Sequence, residues 1–515
     1  MLHRYPVAIS RRAGIYLAFG VVCLGILGVA GFLFASHYEQ HARASFIAAV
    51  KKQFDGDVTL GSFHLSVFPR VVVTGDDLVV RFSGRTDIPP LVVAKHFSAK
   101  AGLTGFLRYP THVGSVELSG LQIHLPPKQG SNSRPRVHGS SFVIDRVVAD
   151  GAVFEVLPND TRKTPLRFDV KRLDLSSVGS SSMGFHAELF NALPPGLIRT
   201  DGRLGAWVTD DPGGTAVSGQ YTFRDADLGV FKGIGGTLSS DGRYQGELAK
   251  IEVQGTADVP NFVLKLAGNP VPLRTTFAAT VDGINGNTDL HPVQATLGNS
   301  RFEVSGSIER GAVAHGKEID LNTKSVKGSL RDFLRLAVKG KEPPMTGTVE
   351  FASKIHIPPG PEPVIGKIHL DGRFDAGDVK FTSPEVQEKM ASLSHRAEGD
   401  PRDHDPGVAG VMGGRFILDK GTMSLSRLEF DLPGAKVIMD GTYTLAGGAL
   451  DFHGTARLNA TVSQMTTGVK RVLLRPVDPL FRHDGAGTVV PIVIQGTRGE
   501  PSFRLDIGRA IRGGK

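Results

Sequence analysis

Cysteine is almost absent from this chain, and its scarcity limits the class of protein. The 515 residues include one Cys, Cys23, which lies within an apolar run. A single Cys excludes a disulfide framework and any zinc site built from several cysteines. Its apolar surroundings also argue against a reactive thiol, because a thiolate needs an electropositive, partly exposed site.

The motifs of common enzymes are also missing. The sequence contains no Gly-x-Ser-x-Gly elbow, Walker loop or His-Glu-x-x-His. Residues 233–236 lack the spacing of a phosphate-binding loop, and residues 282–289 lack the bidentate Glu of a calcium loop, so both predict turns. Residues 400–405 include three Asp and one His, which could hold a metal or form a solvated loop, and we favour the loop. We therefore expect no catalytic residues, no cofactor and no bound metal.

Blocks of positive charge are absent, although the net charge is +8 and the pI about 9.4. Three arginines, Arg4, Arg11 and Arg12, lie at the N-terminus, and no acidic residue occurs before residue 36. The remaining 56 Lys and Arg are nearly balanced by 51 Asp and Glu. No basic cluster is interleaved with aromatic residues, so the sequence does not support a nucleic-acid partner.

The longest apolar run, residues 15–34, predicts a transmembrane helix. It reads IYLAFGVVCLGILGVAGFLF and has no charge over 20 residues, which is about 30 Å as a helix and matches the bilayer core. A cleaved signal peptide would have a shorter apolar region. The preceding arginines place residues 1–14 in the cytoplasm. We therefore expect a single-pass inner-membrane protein whose chain from residue 36 onwards lies in the periplasm.

Beyond the run, the apolar period changes from that of a helix to that of strands. Residues 39–54 have helical spacing, whereas residues 63–82 and most of the later chain alternate apolar and polar positions. The 64 Gly and 31 Pro supply turns between these runs. Turn signals are expected at Gly75-Asp76, Lys420-Gly421, Pro433-Gly434, Asp440-Gly441 and Gly447-Gly448. The pattern predicts a mainly β protein with a long antiparallel, twisted sheet.

Only a few short helices and two linkers interrupt the strands. Helices are expected to begin with capping residues at Ser329 and Ser383, and a third over residues 464–474. Residues 126–141 and 397–410 are rich in Pro, Gly and charge and predict exposed linkers. With so few helices, the apolar side of the sheet has to be covered by something else.

The clearest example of this apolar–polar alternation is residues 415–462, and the candidate lipid contacts lie within its residues 423–432. There the apolar side chains alternate with Ser, Glu and Asp, and they are the candidate lipid-contact residues: Met423, Leu425, Leu428, Phe430 and Leu432. Two arrangements would cover such a face. Either a second sheet packs on it as a sandwich, or the sheet curls and acyl chains fill the trough.

Several segments, in order, resemble the AsmA family of bacterial envelope proteins. After the predicted anchor, residues 57–80 read DVTLGSFHLSVFPRVVVTGDDLVV and residues 91–127 read LVVAKHFSAKAGLTGFLRYPTHVGSVELSGLQIHLPP. Near the C-terminus, residues 441–465 read GTYTLAGGALDFHGTARLNATVSQM and residues 489–507 read VVPIVIQGTRGEPSFRLDI. The resemblance covers about half of the chain and includes no catalytic motif.

The resemblance implies a domain plan and a function. An AsmA-type N-terminal domain is expected over residues 36–127, a β-rich middle region over residues 128–396, and an AsmA-type C-terminal β domain over residues 411–515. The family is related to TamB and YhdP-type bridge-like lipid transfer proteins. It implies a groove-like sheet that handles phospholipid and supports the outer membrane, without catalysis. The alternative is a scaffolding envelope protein that binds protein partners and no lipid.

Overall fold

The fold of the chain is taken from a computed structural model. The structure describes residues 38–51, 56–66, 70–82, 88–101, 111–125, 142–157, 165–206, 208, 212–310, 316–340, 342–403, 405–461, 463–465, 487–498 and 500–505. Strands make up most of these residues, so the prediction of a mainly β protein is confirmed. None of the helices within these ranges is long and apolar enough to cross a membrane. The predicted anchor, the linker 126–141 and most of the predicted helix 464–474 lie outside the described residues.

The described residues form two compact units. Unit 1 lies within residues 1–157 and 169–187, and unit 2 within residues 158–168 and 188–515. The expected domain boundaries at residues 127/128 and 396/411 stay predictions.

Unit 1 contains a mixed sheet. Its strands are β1 (Gly56–Thr59), β2 (Phe63–Ser66), β3 (Val71–Phe82), β4 (Val92–Ala101), β5 (Thr111–Ser119), β6 (Gln122–Leu125), β7 (Phe142–Val156), β8 (Leu166–Val178) and the first part of β9 (Ser182–Ala192). β1 and β2 both pair antiparallel with β3, and β3 pairs with β4. β5 and β6, however, pair with β7 in parallel. The expectation of an antiparallel sheet is wrong for these strands. Parallel strands need a long crossover connection, and the stretch of residues 126–141 has the necessary length.

Helix α1 (residues 38–51) packs on this sheet and belongs to the helix predicted over residues 39–54. The ring of Phe46 stacks on Phe97 with centroids 5.3 Å apart and contacts Phe63 at 5.9 Å. Arg43 donates from Nη2 to the carbonyl oxygen of Leu60 at 2.7 Å. The apolar stripe of α1 thus covers one patch of the unit 1 sheet, as its helical spacing requires.

Unit 2 is an antiparallel meander in which almost every strand pairs with the next. Its strands after β9 are β10 (Pro195–Gly205), β11 (Ala216–Asp227), β12 (Ile234–Gly235), β13 (Thr237–Glu247), β14 (Lys250–Leu264), β15 (Val271–Val281), β16 (Thr288–Leu297), β17 (Ser300–Arg310), β18 (Lys317–Ser329), β19 (Met345–Ile357), β20 (His369–Phe381), β21 (Gly410–Asp419), β22 (Thr422–Leu432), β23 (Ala435–Thr444), β24 (Ala449–Leu458), β25 (Thr488–Thr497) and β26 (Pro501–Leu505). The short strand β12 is the exception: β11 pairs with β13, and β12 with β14. From β13 to β26 the pairing order follows the chain order.

Three helices in the described part of unit 2 lie in connections between strands. They are α2 (Leu330–Ala337), α3 (Val364–Lys367) and α4 (Pro384–Glu398). α4 begins at the predicted position. Its N-cap is Ser383, whose side chain accepts a hydrogen bond from the backbone N–H of Val386. Ser329 occupies the N-cap position of α2 but makes no side-chain cap bond. The linker expected at 397–410 starts later, since its first two residues complete α4.

Three of the five expected turns are confirmed and two are wrong. Lys420-Gly421, Pro433-Gly434 and Gly447-Gly448 connect consecutive strands. Gly75-Asp76 instead lies inside β3 and Asp440-Gly441 inside β23. Asp77 of β3 has a left-handed φ of 52°, but the register of β3 with β4 is the same on both sides of it. The strand therefore continues without a shift through the residues that the sequence marked as a break.

Candidate functional site

One face of the unit 2 sheet is apolar across at least seven strands, β19 to β25. Directly paired residues of neighbouring strands lie on the same face of a sheet. The pairing defines an inner row and an outer row of the surface that we call the apolar face. The inner row is Val349, Ala376, Met412, Phe430, Val437, Ala456 and Val490, and the outer row is Ile355, Leu370, Leu418, Met423, Tyr443 and Leu450.

Between these rows runs a middle row in which two glycines are each followed, on the next strand, by a phenylalanine. It consists of Ser353, Gly372, Phe416, Leu425, Gly441, Phe452 and Ile494. A Cβ atom on Gly372 would lie 2.6 Å from the Phe416 ring, and one on Gly441 would lie 2.4 Å from the Phe452 ring. The rings therefore lie over the glycines of the neighbouring strand. The rings of Phe416 and Phe452 therefore form part of the surface in the middle of the apolar face.

The opposite face carries charged pairs, and we call it the polar face. On β22 and β23, Lys436 Nζ lies 2.7 Å from Glu429 Oε2. The Glu429 carboxylate, with a smaller effect from Asp431, raises the pKa of Lys436. On β24, His453 Nε2 lies 2.9 Å from Asp451 Oδ1. Exposed pairs of this kind add little stability, but they mark the side of the sheet that faces water.

Helices α2 and α4 cover one end of the apolar face. Phe333 of α2 packs edge-on against Phe302 and Phe351, with ring centroids 6.1 and 5.0 Å apart. Ala397 of α4 is fully buried in the core that contains Val349 and Val437. The two helices lie at the strand ends that contain the inner row. The outer row lies towards the other ends, where short turns join β21 to β22 and β23 to β24 and where α3 lies between β19 and β20.

The five predicted lipid-contact residues all lie on the apolar face but in two environments. Phe430 and Leu432 are 9% and 8% exposed and belong to the core beneath α4. Met423, Leu425 and Leu428 are only half-buried. If the apolar face binds a ligand, these three are the better placed of the five.

Hydroxyl groups collect where the same face continues over β10, β11 and β13, a feature that the sequence analysis missed. Tyr244 Oη lies 2.6 Å from Thr200 Oγ1, and Tyr221 Oη lies 3.1 Å from Ser240 Oγ. Burial raises the pKa of both tyrosines. These residues lie far apart in the sequence, so only the strand register brings them together. The apolar face therefore has a more polar part at its β10–β13 side.

The acidic segment 400–405 forms a loop held by α4. His395 Nδ1 lies 3.3 Å from Asp403 Oδ2, and its Nε2 lies 2.9 Å from the Asp405 carbonyl oxygen. His395 is itself buried. Both ring nitrogens of His395 thus face oxygen atoms of the loop. The remaining member, His404, lies outside the described residues.

A second cluster was not recognised from the sequence. Ligand atoms of Glu318, Asp320 and His356 all lie within 4.8 Å of one another, on the polar face of β18 and β19. Glu318 and Asp320 are close in sequence, but His356 comes from the next strand. An alternation pattern on one strand gives no sign of such a group.

Comparison with known proteins yields no match to any family model, curated protein or solved structure. The AsmA resemblance therefore stays a prediction, based on the sequence segments quoted above.

Proposed function

We propose that the apolar face binds the acyl chains of phospholipid and that the protein handles lipid in the bacterial envelope without catalysing a reaction. The observation that carries the proposal is the chemistry of the three cross-strand rows. Apart from Ser353 the side chains of these rows are apolar, whereas the polar face of the same strands carries ion pairs. A sheet with this asymmetry needs an apolar covering on one side only.

The covering by the protein itself is incomplete over the described residues. α2 and α4 account for the end with Phe430 and Leu432, whereas Met423 of the outer row and Leu425 of the middle row are only half-buried. A bound acyl chain would complete the covering. Each CH₂ removed from water contributes about 0.8 kcal/mol, so a chain of sixteen carbons gains about 12 kcal/mol before its ordering cost.

The location belongs to the same proposal. The apolar residues 15–34 anchor the chain in the inner membrane, the N-terminus lies in the cytoplasm, and the two units lie in the periplasm. The resemblance to the AsmA family supports a role in outer-membrane homeostasis. In the periplasm, phospholipid is the proposed binding partner of the protein. The apolar face is the proposed lining of the groove that holds it.

The test is the phospholipid that copurifies with the full-length protein in detergent. We compare wild type with Leu425→Asp and with Ser424→Asp, a matched control one residue away on the polar face. A carboxylate at position 425 meets acyl chains without a partner, which costs several kcal/mol. Ser424 is exposed, so a charge there stays in water. Lipid is quantified by mass spectrometry of extracts, and the fold is monitored by circular dichroism.

We expect bound phospholipid in wild type and Ser424→Asp, and its loss in Leu425→Asp with the fold retained. Wild type without lipid above a detergent control would contradict the proposal and favour a scaffold that binds protein partners. Equal lipid content in all three proteins would place the lipid elsewhere. Phe430→Asp is unsuitable because Phe430 lies in the closed core, where a charge unfolds the protein with or without lipid.

A further inference from the structure

We propose that Glu318, Asp320 and His356 form a binding site for a divalent transition-metal ion such as Zn²⁺. The three side chains offer two carboxylates and one imidazole, with ligand atoms within 4.8 Å of one another. Ligand atoms around one tetrahedral zinc ion are roughly 3.4 Å apart. Small rotations of exposed side chains would therefore bring all three onto one ion. The site lies on the polar face and does not rest on the proposed lipid binding.

The strand register builds this site. Glu318 and Asp320 are two residues apart on β18, so both project from the polar face. His356 of β19 is the direct cross-strand partner of Asp320, and its Nδ1 lies 2.7 Å from Asp320 Oδ1. The cluster is therefore fixed by two regular, paired strands and does not depend on a loop.

A second imidazole lies in the same row. His369 of β20 is the direct partner of His356, and Asp419 of β21 is the direct partner of His369. His369 Nδ1 lies 3.8 Å from Asp419 Oδ1. Across four strands the polar face thus presents carboxylate, imidazole, imidazole and carboxylate in sequence. Imidazole with carboxylate is a donor set suited to zinc and related ions.

An electrostatic mismatch beside the cluster independently points to a cation. Glu309 of β17 is the direct cross-strand partner of Glu318. Like charges directly opposite each other destabilise a sheet. Lys317 and Arg310, the adjacent basic residues in sequence, project towards the other face because side chains alternate along a strand. On β19 the same-face cation is Lys354, whose direct partners are Asn322 and Asp371. A divalent ion at Glu318 would offset the repulsion.

The experiment measures Zn²⁺ binding to the full-length, untagged protein in detergent by calorimetry and equilibrium dialysis. A tag is omitted because added histidines bind zinc. We compare wild type with His356→Ala, Glu318→Gln and the control His453→Ala. His453 is matched because it also pairs with an Asp on the polar face but belongs to no three-ligand group among the described residues. All three substitution sites are solvent-accessible, and circular dichroism checks that the variants fold.

We expect one saturable Zn²⁺ site in wild type and His453→Ala, and at least about tenfold weaker binding in His356→Ala and Glu318→Gln. Excess Ca²⁺ should not displace Zn²⁺, because imidazole is a poor calcium ligand. Absence of saturable binding would overturn the proposal. Equal weakening in His356→Ala and His453→Ala would also overturn it, since it would show adventitious binding to surface histidines. Displacement of Zn²⁺ by Ca²⁺ at a similar concentration would also overturn the proposal, since it would show that the cluster binds cations only as an acidic patch.

Discussion

The backbone N–H of Arg427 donates a hydrogen bond to the carboxylate of Asp440 at 2.8 Å, and Arg427 has a left-handed φ of 50°. At this point β22 carries one extra residue relative to β21 and β23. The bulge shifts the alternation of side chains by one position. Leu425 and Leu428, three residues apart, therefore lie on the same face. Without it, the two halves of the candidate lipid-contact set would face opposite sides of the sheet.

Replacing Asp440 should weaken this bulge. Asp440→Ala removes the acceptor of the Arg427 N–H, and we expect unfolding to become easier by about 0.5–1 kcal/mol. Asp440→Asn keeps an acceptor oxygen and should cost less than half as much. Urea unfolding monitored by circular dichroism measures the difference. Equal losses in both variants would show that the charge, and not the hydrogen bond, supports the bulge.

A larger side chain at Gly372 should disrupt the middle row. A Cβ there would meet the Phe416 ring at 2.6 Å and the Ala352 carbonyl oxygen at 2.7 Å. We expect Gly372→Val to lower the unfolding free energy by about 1–3 kcal/mol, as overpacking does. Gly447→Ala is the control, because no atom lies within 4 Å of the added Cβ. Thermal melts that fall equally for both would contradict the ring-over-glycine packing.

The N-cap residues of α4 and α2 should differ in importance. Ser383→Ala removes a side-chain cap on α4, and we expect a loss of about 0.5–1 kcal/mol. Ser329→Ala removes no cap bond, so its effect should stay within about 0.5 kcal/mol. Denaturant midpoints compare the two. Similar losses would show that α2 depends on Ser329 in a way that the structure does not contain.

Unit 1 should lose part of its stability in acid through Asp76. Hydrogen bonds from Ser62 and then from His96 lower the pKa of Asp76 below its usual 3.8. A depressed carboxyl pKa gives stability that is present above the unfolded-state value and is lost as pH falls through the folded-state value. We therefore expect the loss below about pH 3.8.

Ser62→Ala should raise the Asp76 pKa towards its ordinary value, as measured by NMR titration of the carboxyl group. The stability difference between wild type and Ser62→Ala should be greatest above pH 4 and shrink in stronger acid. Ser66→Ala, at the far end of the adjoining strand β2, is the control. An unchanged Asp76 pKa in Ser62→Ala would contradict the assignment of the hydroxyl as the main cause.

Much of the strand pattern could be predicted from alternation and turn residues, since both are local. Lys420-Gly421 and Pro433-Gly434 connect strands as expected, and Ser383 caps α4. The turn predicted at Asp440-Gly441 was wrong, because Asp and Gly are also suited to a strand position beside a bulge. Both residues lie inside β23, where Asp440 accepts the hydrogen bond from the bulge of β22. The parallel pairing of β5 with β7 could not be read from either strand, because both directions use similar residues.

The candidate sites could be predicted less well, because the pairing register between strands brings their residues together. All five predicted lipid-contact residues share a face, but burial of Phe430 depends on α4, which follows another strand. At the proposed metal site, 36 residues separate Asp320 from His356. Only the number of residues in the β18–β19 connection places them opposite each other. Sequence spacing alone carries no such information.

The order of pairing in unit 2 has a consequence for growth of the chain. From β14 to β26 each strand pairs with the strand before it, so the partner of every new strand precedes it in the chain. A polypeptide that emerges N-terminus first can extend the sheet one strand at a time, with small loop-closure entropy at each step. Such a sheet can also be lengthened by duplication of a hairpin without rearranging the strands already present. Its length is therefore a property that evolution can adjust in increments of two strands.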